Sequence, residues 1–163
     1  MGTSHRVLVA LIMVLFGLSP SFAQPPSDLV KVEVKALKSA VVPGEQFPIA
    51  VIFDHAPGWH IHTNNPIAPP GVDITLIPTE INPEATPGVS FGAIQWPKSH
   101  SAMVNLDGKG PKPYEVFDGR AIAFLPVMVS PSAPPGSTIE IKLAIGYQAC
   151  NDRSCLLPED LEK

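Results

Sequence analysis

Apolar and polar residues alternate with a period of two along much of this chain. Val30-Lys31-Val32-Glu33-Val34-Lys35-Ala36-Leu37 is the clearest run and predicts a half-buried strand. Val42-Pro43-Gly44-Glu45 then reads as a turn, and Gln46 to Phe53 as a second, more apolar strand whose Pro48 points to an edge or a bulge. Pro57-Gly58 turns the chain into a short strand, Trp59 to Thr63. Val72 to Ile77 alternates again and stops at Pro78, and Phe91 to Trp96 stops at Pro97. Tyr114 to Phe117 is short and apolar, with the turn signal Asp118-Gly119 behind it. Ala121 to Val129 follows, with Pro126 again implying an edge or a bulge. Ser137 to Tyr147 is the longest alternating run, with Ile139, Ile141, Leu143 and Ile145 on one face. Asn64 to Gly71 and Lys98 to Pro113 are rich in polar residues, Gly and Pro, and read as loops.

No segment after residue 23 keeps a helical period of 3.6, and 20 prolines disfavour long helices. Short strands, Pro/Gly turns and no βα alternation predict an all-β chain, an antiparallel β-sandwich. No internal repeat divides it, so residues 30–163 are expected to form one domain. The start is different in kind. Arg6, the apolar run Val7 to Leu18 and then Ser21-Phe22-Ala23 have the layout of a cleavable signal peptide, residues 1–23. Residues 24–29 are Pro-rich and read as a mobile lead. Export predicts a periplasmic protein in a bacterial cell, where disulfides persist. The 140 residues after Ala23 hold 10 Lys+Arg against 15 Asp+Glu, a formal charge of −5. That balance argues against nucleic acid and anionic membrane surfaces as partners.

The only two cysteines, Cys150 and Cys155, sit in one turn after the last clear strand pattern. Both lie on one side of that same turn, so no cross-sheet disulfide is expected. A disulfide stabilises mainly by shrinking the unfolded ensemble, and a loop this small is worth only about 2 kcal/mol. Thiol–disulfide exchange needs instead two sulfurs within bonding distance near the surface, one of them open to in-line attack. The spacing alone leaves exchange and a passive staple level. No Ser-His-Asp arrangement, no paired carboxylates and no phosphate loop point to another chemistry.

A set of motifs carries a family likeness. In order, they are Gly58-Trp59-His60-Ile61, Asn65-Pro66, Ile94-Gln95-Trp96-Pro97, Tyr114-Glu115-Val116-Phe117, and Tyr147-Gln148-Ala149-Cys150 through Cys155-Leu156-Leu157-Pro158. Over residues 30 to 160 the chain resembles the N-terminal periplasmic domain of DsbD-type thiol:disulfide interchange proteins. The resemblance implies an immunoglobulin-like sandwich and a redox-active pair acting as a component of protein-disulfide reductase chemistry, with no cofactor. It implies a thioredoxin-like donor domain or membrane electron carrier upstream. Downstream it implies a periplasmic disulfide isomerase or a cytochrome c maturation oxidoreductase, met by a monomer. Cys155 would be the exchanging sulfur and Cys150 the resolving one. Phe117 would shield the sulfurs as an aromatic cap, with Glu115, Asp118 and Tyr147 beside it. Glu115, Asp118 and Asp152 would raise a nearby thiol pKa by repulsion, and Arg153 would oppose them. Relatives usually continue past the final Pro into a closing strand, so the expectation is either a sandwich that lacks this edge strand or a sequence that is a piece of a longer chain. No thioredoxin-like Cys-x-x-Cys is present, so electrons must come from another polypeptide.

Two other classes compete with exchange: a non-catalytic binding or assembly module with a structural disulfide, and a copper carrier. His60 and His62 share a strand face and, with His55, His100 and Met103, offer donors for copper. Yet His60 belongs to the Gly-Trp-His motif and the others lie in separate loops, so no metal site is expected.

Overall fold

The structure is a computed structural model that describes residues 29–163. The expected signal peptide and all but the last residue of the expected lead lie outside the described residues. Eleven strands follow in order: β1 (Val30–Ala36), β2 (Gln46–His55), β3 (His60–His62), β4 (Glu80–Pro83), β5 (Val89–Phe91), β6 (His100–Val104), β7 (Lys112–Asp118), β8 (Arg120–Val129), β9 (Leu143–Tyr147), β10 (Ala149–Cys150) and β11 (Glu159–Glu162). There is no helix among the described residues. All strand pairs are antiparallel, in three sheets ordered β1-β2-β8-β5, β10-β3-β7-β6 and β11-β9-β4.

Alternation places the core. Val30 and Val32 of β1, Phe47, Ile49, Val51 and Phe53 of β2, and Ala121, Ala123, Leu125, Val127 and Val129 of β8 all point one way into one buried cluster. From across the sandwich, Ile81, Leu143, Ile145 and Tyr147 meet them, together with Ile61, Phe117 and Ala149 of the β10-β3-β7-β6 sheet. The Phe53 and Tyr147 rings touch edge to face across this interior, 6.1 Å apart. A second, smaller cluster of Val104, Tyr114 and Val116, with Leu76, Ala102 and Leu106 against it, covers the other face of the β10-β3-β7-β6 sheet.

Four expectations change. The closing strand is present: β11 runs from Glu159 to Glu162 and pairs with β9 from Glu159↔Tyr147 to Glu162↔Ala144. Residues 72–77 and 137–142 alternate but form no strand. Period two reports a side-chain environment with two sides, whereas a strand also needs a partner for its backbone. Leu76 uses its inward position against the small cluster, and Ile139 and Ile141 pack on the main core, without ladder bonds. Conversely, the polar stretch 98–113 contains β6, paired with β7 from His100↔Val116 to Val104↔Lys112. Its outward residues are Ser101 and Met103, so its composition reads as loop.

The prolines are the fourth. Pro48 and Pro126 lie opposite each other in β2 and β8, the two interior strands of their sheet. Each faces the residue just past the end of an outer strand: Leu37 N–H donates to Pro48 O (3.3 Å) and Gly92 N–H to Pro126 O (2.8 Å). The missing proline N–H therefore falls where the outer strand has already ended.

Candidate functional site

The cysteine turn joins β9 to β11 and is built by its own residues. Asn151 Oδ1 accepts from the N–H groups of Arg153 and Ser154, both at 2.9 Å, and from the Ser154 hydroxyl at 3.3 Å. Asn151 N–H donates to Ser154 O (2.9 Å) and Leu156 N–H to Ala149 O (2.9 Å). Gln148 Nε2 donates to Leu156 O at 2.8 Å. This brings the Cys150 and Cys155 Cα atoms to 4.0 Å, and the two are joined by a disulfide. The two sulfurs are not equivalent. Cys150, held in β10 against β3, is 0% exposed, whereas Cys155 is half-buried at the outer limb of the turn.

The register decides which side chains face the sulfurs. Cys150, His60 and Asp118 form one row across β10, β3 and β7; Ala149, Ile61 and Phe117 form the next. Neighbouring rows point to opposite faces. Because Ile61, Phe117 and Ala149 enter the main core, Cys150 looks out through the other face, in company with His60, His62, Tyr114 and Val116.

That parity corrects the expected cap. Phe117 is 2% exposed, stacked on Trp96 at 6.1 Å within the main core, on the face away from the sulfurs. Glu115 shares that opposite face and accepts from the Ser99 hydroxyl at 2.6 Å. Tyr147 is a core residue too: its hydroxyl donates to Glu159 Oε2 (2.9 Å), and burial holds its pKa well above the usual range. Asp118 does share the sulfur face, but it sits two strands from Cys150, roughly 10 Å away at the usual strand spacing, and pairs with His100. What touches the cysteine turn is the tip of the β6–β7 hairpin, where Asn105 N–H donates to Asp152 O at 2.7 Å. Beside it a cleft of about 430 Å³ opens between His60, Met103, Asp118 and Asp152.

The residue that sequence reasoning placed elsewhere is His62. It is 1% exposed, and its Nε2 lies 3.4 Å from Cys150 Sγ and 3.9 Å from Cys155 Sγ. Its Nδ1 is 2.6 Å from the Tyr114 hydroxyl, and its backbone carbonyl accepts from the Thr79 hydroxyl at 2.6 Å. Tyr114 is itself buried, which raises its pKa to about 12, so its hydroxyl stays protonated. With the Tyr114 O–H donated to Nδ1, the ring proton sits on Nε2 and points at the sulfurs. Burial lowers the His62 pKa, keeping the ring neutral. The signal for His62 was its place two residues from His60, hence on one face; what the sequence lacks is the register that puts Cys150 beside them.

The other proposed copper donors do not converge. His55 Nδ1–H donates to Gly119 O (2.8 Å), His100 pairs with Asp118, and Met103 is exposed. His60 is buried, its Nε2 has no hydrogen-bond partner among the described residues, and burial followed by the neighbouring His62 and His55 lowers its pKa to about 4.

Comparison with known proteins gives the family and the fold. A family model described as thiol:disulfide interchange protein DsbD, N-terminal, matches residues 27–162. The fold is shared with the N-terminal domain of Neisseria meningitidis DsbD in its reduced form, at 17% identity and a TM-score of 0.50, covering 86% of this chain and 87% of that one. It is also shared with the N-terminal periplasmic domain of ScsB from Proteus mirabilis, at 19% identity and a TM-score of 0.52, covering 85% of this chain and 47% of that one. The present chain thus spans about half the length of that ScsB chain. A search of curated proteins returned no match.

Proposed function

The chain belongs to the DsbD N-terminal family of thiol:disulfide interchange proteins, and from that premise we propose that Cys150 and Cys155 pass reducing equivalents from a thioredoxin-like donor to oxidoreductases of the periplasm. The donor's thiolate attacks Cys155 Sγ in line with the disulfide. A donor–Cys155 bond forms, and the electron pair of the broken bond leaves on Cys150 Sγ. The donor's second thiolate then attacks its own bridged sulfur and frees Cys155, so the donor is oxidised and the pair reduced by two electrons. In the forward step the Cys155 thiolate attacks a target disulfide. Cys150 next attacks Cys155 Sγ, re-forming the disulfide and releasing the target as a dithiol.

One observation carries the division of roles: Cys155 is the half-buried sulfur and Cys150 the fully buried one. The departing thiolate on Cys150 lies nearest the His62 Nε2–H, at 3.4 Å. A hydrogen bond to a charged acceptor is stronger than one to a neutral acceptor, so this contact favours opening of the disulfide. The β6–β7 tip must lift its Asn105–Asp152 bond to admit a thioredoxin-like surface. Export to the periplasm through a cleavable segment at residues 1–23, work as a monomer, and a role as a protein-disulfide reductase component belong to the same proposal. The targets are a disulfide isomerase or a cytochrome c maturation oxidoreductase.

The test is trapping. Cys150→Ser leaves Cys155 able to attack but unable to be resolved, so it should accumulate mixed disulfides with a thioredoxin-like protein, seen on non-reducing gels. Cys155→Ser should accumulate none. Equal trapping by both variants would remove the division of roles. A wild-type disulfide inert to a reduced thioredoxin-like protein would remove the exchange reading and leave a staple.

A further inference from the structure

The exchange chemistry uses His62 as a donor to sulfur, yet the same three side chains form a different kind of site once the disulfide is open. Among the described residues, the ligand atoms of His62, Cys150 and Cys155 are a group of potential metal donors, all within 4.8 Å of one another. We propose that the reduced pair and His62 together bind one thiolate-seeking d10 cation, Cu(I), in a three-coordinate site. The proposal needs the disulfide to be reducible and does not need a protein partner.

The imidazole already stands where such an ion requires it. With metal–nitrogen and metal–sulfur bonds of ordinary length, the nitrogen–sulfur edge of the coordination figure is about 3.5–3.8 Å. His62 Nε2 is 3.4 Å from one sulfur and 3.9 Å from the other. Only the sulfurs have to move apart, by rotation about their side-chain bonds after the disulfide is reduced. The ligand ring is held from behind. Register with β7 and β10 fixes its strand, Thr79 holds its carbonyl, and Tyr114 meets Nδ1 at 2.6 Å. A metal-bound imidazole donates its second N–H to an outer partner, and the Tyr114 hydroxyl oxygen can accept it. The tautomer therefore shifts from Nε2–H to Nδ1–H when the Nε2 lone pair goes to the ion. Tyr114, a donor in the resting state and an acceptor in the bound state, serves both.

The donor set names the ion. Two thiolates and one imidazole are soft to intermediate ligands, which select Cu(I) and Zn(II) over hard cations. No carboxylate of the described residues joins the cluster, and the site is buried at His62 and Cys150, which favours an ion content with three ligands over Zn(II), which takes four. Binding removes two thiol protons and changes no oxidation state. The disulfide abolishes the site, so ion capture is confined to the reduced chain. In turn, the bound ion occupies both sulfurs and blocks exchange.

The chain, reduced with a phosphine and freed of it without oxygen, is titrated with Cu(I) against a chromophoric chelator. One Cu(I) per reduced chain is expected, with protection of both cysteines from alkylation and no comparable uptake by the oxidised chain. X-ray absorption of the wild-type complex should show two sulfur ligands and one nitrogen. Tyr114→Phe should weaken binding by roughly tenfold, as loss of an outer partner does, and His62→Gln by more. Thermal unfolding and re-formation of the disulfide check that the variants fold, and the wild-type spectrum decides the nitrogen ligand without any variant. Sulfur-only coordination, equal affinity in folded His62→Gln, or uptake by the oxidised chain would each overturn the proposal. Tighter binding of Zn(II) than of Cu(I) would overturn the choice of ion.

Discussion

Strand β3 sends Ile61 to one face of its sheet and His60 and His62 to the other, and its neighbours divide in the same way. Ile61, Phe117 and Ala149 enter an interior built almost entirely of apolar side chains. On the opposite face, His60, His62, Cys150 and Tyr114 make a buried surface that is polar and incompletely satisfied: His60 Nε2 has no partner among the described residues. The first face holds the sheet to the sandwich. The second carries a cluster of only three buried side chains, Val104, Tyr114 and Val116, and a hairpin tip bonded to the cysteine turn. Chemistry sits where packing is thinnest, so reaching the sulfurs costs the domain little of its main core. A reactive pair on the core face would have to open the sandwich to react.

The largest expected effect tests the chemical face alone. Cys155→Ser should abolish mixed-disulfide formation while lowering stability by about 2 kcal/mol at most, the worth of so short a loop. Gel trapping and a denaturant titration read the two halves. Next comes the packing face. Phe117→Ala should cost about 3–5 kcal/mol in a denaturant titration, with the redox potential of the pair moved by less than about 30 mV. A larger move would break the separation of the faces.

Acid should act on the chemical face first. The His60 pKa is about 4 when folded, against 6.5 for the ordinary side chain, with His55 and His62 lowered by burial in the same direction. Between these values the unfolded chain binds protons that the folded chain refuses. Stability due to His60 is therefore complete above pH 6.5, falls as pH drops toward 4, and is level below it. A thermal melt series from pH 7 to 4 should show the fall, and His60→Phe should flatten it. A profile unchanged by that variant would place the sensitive groups elsewhere. Tyr114→Phe leaves His62 Nδ1 unpartnered and should cost about 1–3 kcal/mol, read by chemical denaturation, while also slowing reduction of the disulfide. The smallest effect is at the turn: Asn151→Ala removes a side-chain acceptor for three groups and should cost about 1 kcal/mol, with the change seen as faster hydrogen exchange at Arg153 and Ser154.

Much of the sandwich was legible because alternation is local. β1, β2 and β8 follow directly from their apolar spacing, and the cysteine turn and its family motifs are written in adjacent residues. What was not legible depended on pairing. Phe117 reads as a cap from its place before Asp118-Gly119, but its face follows from its register with Ile61, 56 positions earlier in the sequence. His62 faces Cys150 for the same kind of reason, across a separation of 88. Residues 72–77 have the rhythm of a strand without a neighbour, and β6 has a neighbour without the composition of a strand. Pro48 and Pro126 mark the ends of outer strands and not, as their chemistry suggested, an edge of their own.

The cysteine turn also lies inside a hairpin that closes without it. Tyr147 pairs with Glu159, Gln148 holds Leu156, and Leu156 returns to Ala149, all before the sulfurs are counted. The disulfide is thus a loop within a loop. In a thermodynamic cycle linking folding to reduction, the stability difference between the dithiol and disulfide forms equals the shift that folding imposes on the reduction equilibrium. Closing so short a loop supplies only about 2 kcal/mol of that difference through the unfolded chain, and the contacts of the sulfurs in the folded chain supply the rest. On the exchange proposed above, the pair would cycle with the hairpin intact, and its potential should respond to substitution of His62 more than to substitution of the main core.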